Sequence, residues 1–476
     1  MSAPAPVSER VREGSPPSDR PGRRPRTAAG AGAALGALTF VAYLPGLGRS
    51  LDFDSAQTVG MFVRPGPPWA AFTRQAVLNN HPFFSFLEQL VRMGTGSGGA
   101  ATMRVLPILC GALTVAVLTW FTVRRHGLVA GVVAGTFVAC NPTFATLSRS
   151  VRGYSLLTLC AVVSTVIVAR DDGRPSRRRD VAYVAVAGVG LATHLYMVPV
   201  LAAHVGAVLA RRQLGRAWRL RFLGALTVAA IAYVGMAGPM VGGMRSHAKV
   251  FQSRLPWRVA EMVTGGGWAT VVLLPLVVAG AVLLLSGPLG SGHAGPRPAR
   301  GAAVALVAVL GVLWAALQSS ALTERFFVWL VPGAAYLAAV AVARVPVGAL
   351  AVVPWTALVA TSTLPSYTDD PTAYRVAAQV IRAANASGAR SCVVAVGVAP
   401  MLAYLDSPRE FAAIDDPSHL GRCDVVVVAA WWQTQERWFA ADNRVIAAAE
   451  RTFPHRTVLG QGDPALVLST RPLPAA

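Results

Sequence analysis

Long apolar runs separated by short polar stretches dominate the chain. The first covers about 28–47, and others follow near 102–122, 128–147, 153–169, 181–209, 222–244, 268–288, 301–318, 326–343 and 347–362. A bilayer crossing needs about 20 predominantly apolar residues, so this pattern predicts a succession of membrane helices. The preceding residues, 1–27, are rich in Pro, Ser and Arg. They cannot bury a core and predict a disordered tail. No convincing cleavage motif follows the first run, which therefore reads as an uncleaved span. Beyond residue 363 the pattern changes. The spacing of Val376, Val380, Ile381 and Ala384 predicts a helix over 374–386. The β-branched runs 392–396 and 424–428 predict buried strands, with a helix over 433–451 and a third strand over 465–468. Strands alternating with helices predict a small α/β domain with a partly parallel sheet over 364–476.

Composition agrees with a membrane protein. Hydrophobic residues make up 54% of the chain and charged residues only 14%, against about 25% in soluble domains. The net charge of +21 is almost all arginine, Lys249 being the only lysine. The arginines sit in short loops, so topology accounts for them better than nucleic-acid binding does, and no nucleic-acid partner is expected. The groups at Arg124–Arg125, at Arg170, Arg174 and Arg177–Arg179, at Arg211–Arg221 and at Arg297–Arg300 are assigned to the cytoplasm together with the N-terminal tail. Both flanks of 181–209 are then cytoplasmic. That run must cross an even number of times, as two short helices or a re-entrant hairpin turning near Thr193–Tyr196. The resulting expectation is about 11 membrane helices in the cytoplasmic membrane, with 28–363 as the membrane domain. The external loop 48–101, His194, the 245–267 and 319–325 loops, and 364–476 all fall on the outer side. Cys110, Cys140 and Cys160 lie in apolar runs as small hydrophobes. Cys392 and Cys423 each open a strand of the outer domain, where a disulfide and two separate thiols are both compatible with the sequence. No cysteine spacing suggests a zinc site.

Chemistry concentrates in the first external loop, where Asp52 and Asp54 stand beside the membrane and Asn79-Asn80-His81-Pro82 opens an amphipathic segment. A carboxylate at the bilayer surface must be solvated or paired. Five short elements in order, Phe53-Asp54-Ser55-Ala56, Asn80-His81-Pro82-Phe83-Phe84, Arg104-Val105-Leu106-Pro107, Arg152-Gly153-Tyr154-Ser155-Leu156-Leu157 and His194-Leu195-Tyr196, give the chain a resemblance to a known family. It resembles the GT-C-fold membrane glycosyltransferases, in the protein-mannosyltransferase and aminoarabinose-transferase-like group that uses polyprenyl-phosphate sugars. The resemblance covers about 30–340, and Ser55 stands where the family usually has Glu.

The resemblance implies a GT-C-like membrane domain that moves mannose or a related sugar from a polyprenyl-phosphate donor to a glycan, lipid or protein acceptor outside the cytoplasm. Such a reaction needs a base for the acceptor hydroxyl and positive charge for the departing phosphate. Asp54 is the candidate base, with Asp52 the next. The competing reading of Asp54 is a helix N-cap. Arg152, Arg149, Arg325 and Lys249 are candidate phosphate ligands, against interfacial anchoring or a surface ion pair. His81, Tyr154, His194 and Tyr196 are candidate substrate-lining residues, against plain packing. No metal ligand is assigned, and the Ser55 departure leaves use of a divalent ion open. A transporter or flippase of a lipid-linked substrate, or a non-catalytic scaffold, are the rival readings. The Arg- and Ala-rich composition hints at a high-GC bacterium.

Overall fold

The computed structural model describes residues 23–73, 81–170, 176–210, 215–234, 254–286, 324–344, 373–405, 407–429, 440–460 and 464–472. Helix α1 (Arg23–Ala42) begins within the expected disordered tail and ends five residues before the end of the first apolar run. A short helix α2 (Phe53–Gln57) and a π-helical turn (Thr58–Val63) follow in the first loop. The amphipathic segment forms α3 (Pro82–Thr95), which starts at a proline and ends on Gly96 with φ of +66°. Helix α4 (Ala100–His126) is long and apolar enough to cross a membrane. It packs along α1. Gly32 and Gly36, four residues apart on α1, face it so closely that a Cβ at Gly32 would lie 2.7 Å from the Ala116 carbonyl oxygen. Small residues at this spacing let membrane helices approach backbone to backbone.

The run read as one segment over 128–147 is broken into α5 (Leu128–Cys140) and α6 (Pro142–Arg149), bent by 61°. Asn141 causes the break. Its side chain accepts a hydrogen bond from Phe144 N at 2.9 Å, and the following proline cannot continue α5. Helix α7 (Tyr154–Ala169) comes next. The expected interruption in 181–209 is present: α8 (Arg177–Thr193) ends at the His194–Tyr196 turn, and α9 (Met197–Ala210) starts after it. The two are held to their neighbours by buried polar contacts. His204 meets the hydroxyls of Tyr183 and Thr165 at 3.0 and 3.1 Å. Asp180 pairs with Arg221 of α10 (Arg216–Tyr233), whose guanidinium stacks on Trp218. Polar groups in an apolar bundle must be satisfied internally in this way.

Helices α11 (Leu255–Thr264) and α12 (Gly267–Ser286) meet at 87°, and a 3₁₀ turn (Glu324–Leu330) leads into α13 (Val331–Arg344). Among the described residues two helices, Ala100–His126 and Arg325–Arg344, satisfy the length and composition of a crossing, or up to four if each bent pair counts as one. The expected runs at 301–318 and 347–362 lie outside the described residues.

The C-terminal region contains α14 (Tyr374–Ala386) and strands β1 (Ser391–Val394), β2 (Ala412–Ile414), β3 (Val425–Val428), β4 (His455–Leu459) and β5 (Ala465–Ser469). The sheet order is β2-β1-β3-β5-β4, parallel among β2, β1 and β3 and antiparallel at β5 and β4. The strand expected over 392–396 ends two residues early, because α15 (Ala395–Leu402) begins there. A later helix, α16 (Ala440–Thr452), covers the 433–451 expectation from residue 440 on, and 433–439 lie outside the described residues. Cys392 and Cys423 form a disulfide, with Cα atoms 5.7 Å apart.

Helix α15 docks this region on the first loop. Arg64 Nη1 donates to the carbonyls of Leu402 and Leu405 at 2.9 and 2.7 Å, satisfying the C-terminal end of α15. Leu51 N donates to the Tyr404 hydroxyl at 2.5 Å. Gly60 in the π-helical turn permits the contact, since a Cβ there would overlap the Ala399 carbonyl oxygen. Gly60→Ala is expected to destabilise the docked state by about 1–3 kcal/mol, the usual cost of overpacking. Limited proteolysis of the full chain reads this as faster release of the C-terminal domain. An unchanged cleavage rate would mean that α15 does not rest on this turn in solution.

Candidate active site

The loop 43–58 is built to present one carboxylate. Asp52, not Asp54, is the N-cap of α2: its Oδ1 accepts from Ser55 N at 2.9 Å and its Oδ2 from Ser55 Oγ at 2.8 Å. That leaves Asp54 in the first turn with no capping duty. Ser55 Oγ also accepts from Val151 N at 2.9 Å, which ties α2 to the α6–α7 turn. Arg104, in the first turns of α4, holds the approach to α2 from the other side. Its guanidinium donates to the carbonyls of Leu47, Arg49 and Ser50 at 2.6–2.7 Å and to that of Arg149 at 3.2 Å. One planar fork thereby fixes two chain segments, a task suited to arginine.

Two guanidiniums converge on the presented carboxylate. Arg325 Nη1 lies 2.5 Å from Asp54 Oδ2, and Arg152 Nη1 lies 3.8 Å from Oδ1. Arg152 is 1% exposed and stands 5.6 Å over the Tyr154 ring. Arg325 comes from the turn before α13, 271 residues away in sequence. Its ion pair with Asp54 is part-buried, unlike the surface pair that its sequence position also allowed. Beside them a cluster of rings closes the site. His81 lies 4.8 Å from His194 and 5.3 Å from Tyr154, and Tyr196 stacks on Phe326 at 4.9 Å. Burial, then the positive charge of Arg152 and the neighbouring His194, hold the His81 pKa well below the ordinary imidazole value. At neutral pH His81 is therefore a hydrogen-bonding group and not a cation.

Of the residues expected to act, Asp54, Arg152, Arg325, His81, Tyr154, His194 and Tyr196 come together. The Arg149 guanidinium donates to the Pro45 carbonyl, three residues past α1. Lys249 and Asn80 lie outside the described residues. Among the described residues no three His, Cys, Asp or Glu side chains group as metal ligands. The Asp54 carboxylate is paired with two guanidiniums. What the cluster does offer is anion-directed donors. The Tyr154 hydroxyl and Arg325 Nε are buried without hydrogen-bond partners among the described residues.

Glu88, on α3, was not singled out by its sequence context. It is fully buried, and neither carboxyl oxygen has a hydrogen-bond partner among the described residues. Burial raises its pKa well above the ordinary value. An acid raised in the folded state holds a proton that the unfolded chain loses near pH 4.3, so stability falls as pH rises above that value. Glu88→Gln keeps the shape and the neutral state. It is expected to stand above wild type in thermal midpoint by a margin that grows from pH 5 to pH 8. Parallel curves would show that Glu88 is ionised or solvated in the fold.

Residues 79–237 match the model of the dolichyl-phosphate-mannose-protein mannosyltransferase family. That stretch holds His81, Arg152, Tyr154, His194 and Tyr196, but neither Asp54 nor Arg325. No curated protein sequence matches the chain significantly. Among solved structures, ArnT from Cupriavidus metallidurans bound to undecaprenyl phosphate is similar at TM-score 0.60 and 14% identity, over 92% of this chain and 97% of that one. The same protein in the apo state gives TM-score 0.59 at 14% identity, with the same coverage. An Archaeoglobus fulgidus oligosaccharyltransferase, tethered to an acceptor peptide, is similar at TM-score 0.48 and 10% identity, over 90% of this chain and 72% of that one.

Proposed function

We propose that this chain, a GT-C-fold membrane glycosyltransferase served by a lipid-linked phosphate donor, moves mannose or a related sugar from a polyprenyl phosphate to an acceptor hydroxyl outside the cytoplasm, with Asp54 as base. The observation that carries this reading is the Asp54 carboxylate held between Arg325 and the buried Arg152, beside unsatisfied donors. The donor phosphate competes with Asp54 for Arg325. Its arrival draws that guanidinium away and leaves the carboxylate free to accept a proton. Asp54 then takes the proton of the acceptor hydroxyl as the oxygen attacks the anomeric carbon. The bond from that carbon to the phosphate oxygen breaks, and the polyprenyl phosphate leaves with the electron pair. Arg152 and Arg325 neutralise the developing charge, and an attack opposite the leaving group inverts the anomeric centre. His81, Tyr154, His194 and Tyr196 line the sugar.

ArnT was solved with undecaprenyl phosphate, and the family model is named for dolichyl-phosphate-mannose. Both support a polyprenyl-phosphate donor. The Cys392–Cys423 disulfide supports an oxidising location for the C-terminal domain, outside the cytoplasmic membrane. The arginine-rich loops and N-terminal tail then belong to the cytoplasmic side. A panel of radiolabelled polyprenyl-phosphate sugars, supplied to membranes containing the full chain, tests the assignment. Transfer from at least one donor to an endogenous acceptor is expected. Failure of every donor in membranes where the acceptor is present would favour a transporter or a scaffold.

A further inference from the structure

We propose that the far end of α4 and α7 carries a second anion site, one that binds the phosphate head group of an anionic phospholipid. The site is a cavity of about 180 Å³ lined by Trp120, Phe121, Arg124, Arg125 and Arg170. Helix α4 rises about 30 Å from Arg104, which holds the Asp54 loop, to Arg124. That is the thickness of a bilayer's hydrocarbon core, so the cavity lies at the opposite interface from Asp54. Tryptophan at such a level belongs to the head-group region.

Three guanidiniums share this small space. Arg124 and Arg170 stand 5.8 and 5.1 Å over the Trp120 ring, and Arg125 stands 5.4 Å over Phe121. Arg125 Nη2 donates to the Ala169 carbonyl at 2.9 Å, which fixes its position at the end of α7. Among the described residues none of the three pairs with a carboxylate. Asp171 and Asp172, which follow in the chain, lie outside the described residues. The C-terminal ends of α4 and α7 favour nearby cations in general. They do not account for three guanidiniums gathered on two aromatic rings around one cavity. Like charges at this spacing repel, and a phosphate diester between them removes the repulsion and uses their remaining N–H donors. A phospholipid meets the other requirement as well, since its acyl chains continue along the apolar flank of α4, where Leu109 and Leu113 are exposed. Basic pockets between membrane helices bind lipid head groups by this chemistry.

Native mass spectrometry of the full chain in detergent tests the site, using phosphatidylglycerol and phosphatidylcholine of identical acyl chains. Wild type is expected to retain phosphatidylglycerol in preference. Arg124→Gln and Arg170→Gln, both exposed positions, are each expected to weaken retention about fivefold, and the double variant about 30-fold. Arg177→Gln/Arg178→Gln removes as much charge from another exposed basic group and is expected to leave retention unchanged. Equal loss in both double variants would reduce the cavity to general basic charge. Equal retention of phosphatidylcholine would remove the anionic requirement. Displacement of the lipid by millimolar inorganic phosphate would make this a free-anion site and overturn the lipid assignment.

Discussion

Asp54→Asn is expected to lower sugar transfer at least about a hundredfold, the low end of what a positioned base contributes, while the full chain folds and inserts as before. Asparagine keeps the shape of the side chain but cannot take the acceptor proton. The fold has no stake in the charge as a cap, because Asp52 caps α2. The variant leaves Arg152 and Arg325 facing a neutral amide instead of a carboxylate. Both then remain available to the donor phosphate, so the loss falls on kcat and the donor KM holds or falls. Asp52→Asn is the matched control. Asparagine is as good an N-cap as aspartate, and this variant is expected to keep transfer within about tenfold of wild type. Radiolabelled transfer in membranes, with the two variants at equal abundance, measures both. If Asp54→Asn matched wild type while Asp52→Asn failed, the base would be Asp52 and the ion pairs around Asp54 would be structural.

The candidate site was legible wherever its residues sit in short local patterns. Asp54, His81, Arg152, Tyr154, His194 and Tyr196 lie in loops or at helix starts, and the structure collects them at one end of the bundle. Arg325 could be read as a charge ahead of an apolar run, but its partner could not, because nothing local ties it to a carboxylate 271 residues away. Arg104 showed only as part of an Arg-Val-Leu-Pro string. Its acceptors are backbone carbonyls, which carry no sequence signature. Glu88 looks like the polar face of an amphipathic helix, and the docking of α3 against its neighbours is what buries it. The same contrast holds for the fold. Strands β1, β3 and β5 are apolar and buried, and their runs stand out. Strand β2 has three residues, and the edge strand β4 is largely exposed, so neither has an apolar run to find. The Asn141-Pro142 signal for the α5–α6 break was present, but apolar residues continue on both sides and hydropathy alone joins them.

Arg104→Lys is expected to cost nearly as much activity as loss of the base, although the residue touches neither donor nor acceptor in the proposed reaction. Its four hydrogen bonds go to carbonyls on both sides of the site: Leu47, Arg49 and Ser50 lead into α2, and Arg149 leads into the Arg152 turn. Lysine keeps the charge but replaces a planar fork by a single ammonium. At least one buried carbonyl loses its partner, a cost of about 1–3 kcal/mol when the group stays buried. The segments carrying Asp54 and Arg152 then shift relative to each other, and a displacement of about 1 Å between a base and a phosphate ligand lowers rate on the order of a hundredfold. A thermal midpoint below wild type together with lower kcat is the expected result. Asp54→Asn, by contrast, should lower kcat with all four Arg104 hydrogen bonds in place. A lysine variant with wild-type transfer and a lowered midpoint would show that Arg104 supports the fold without setting the geometry of the site.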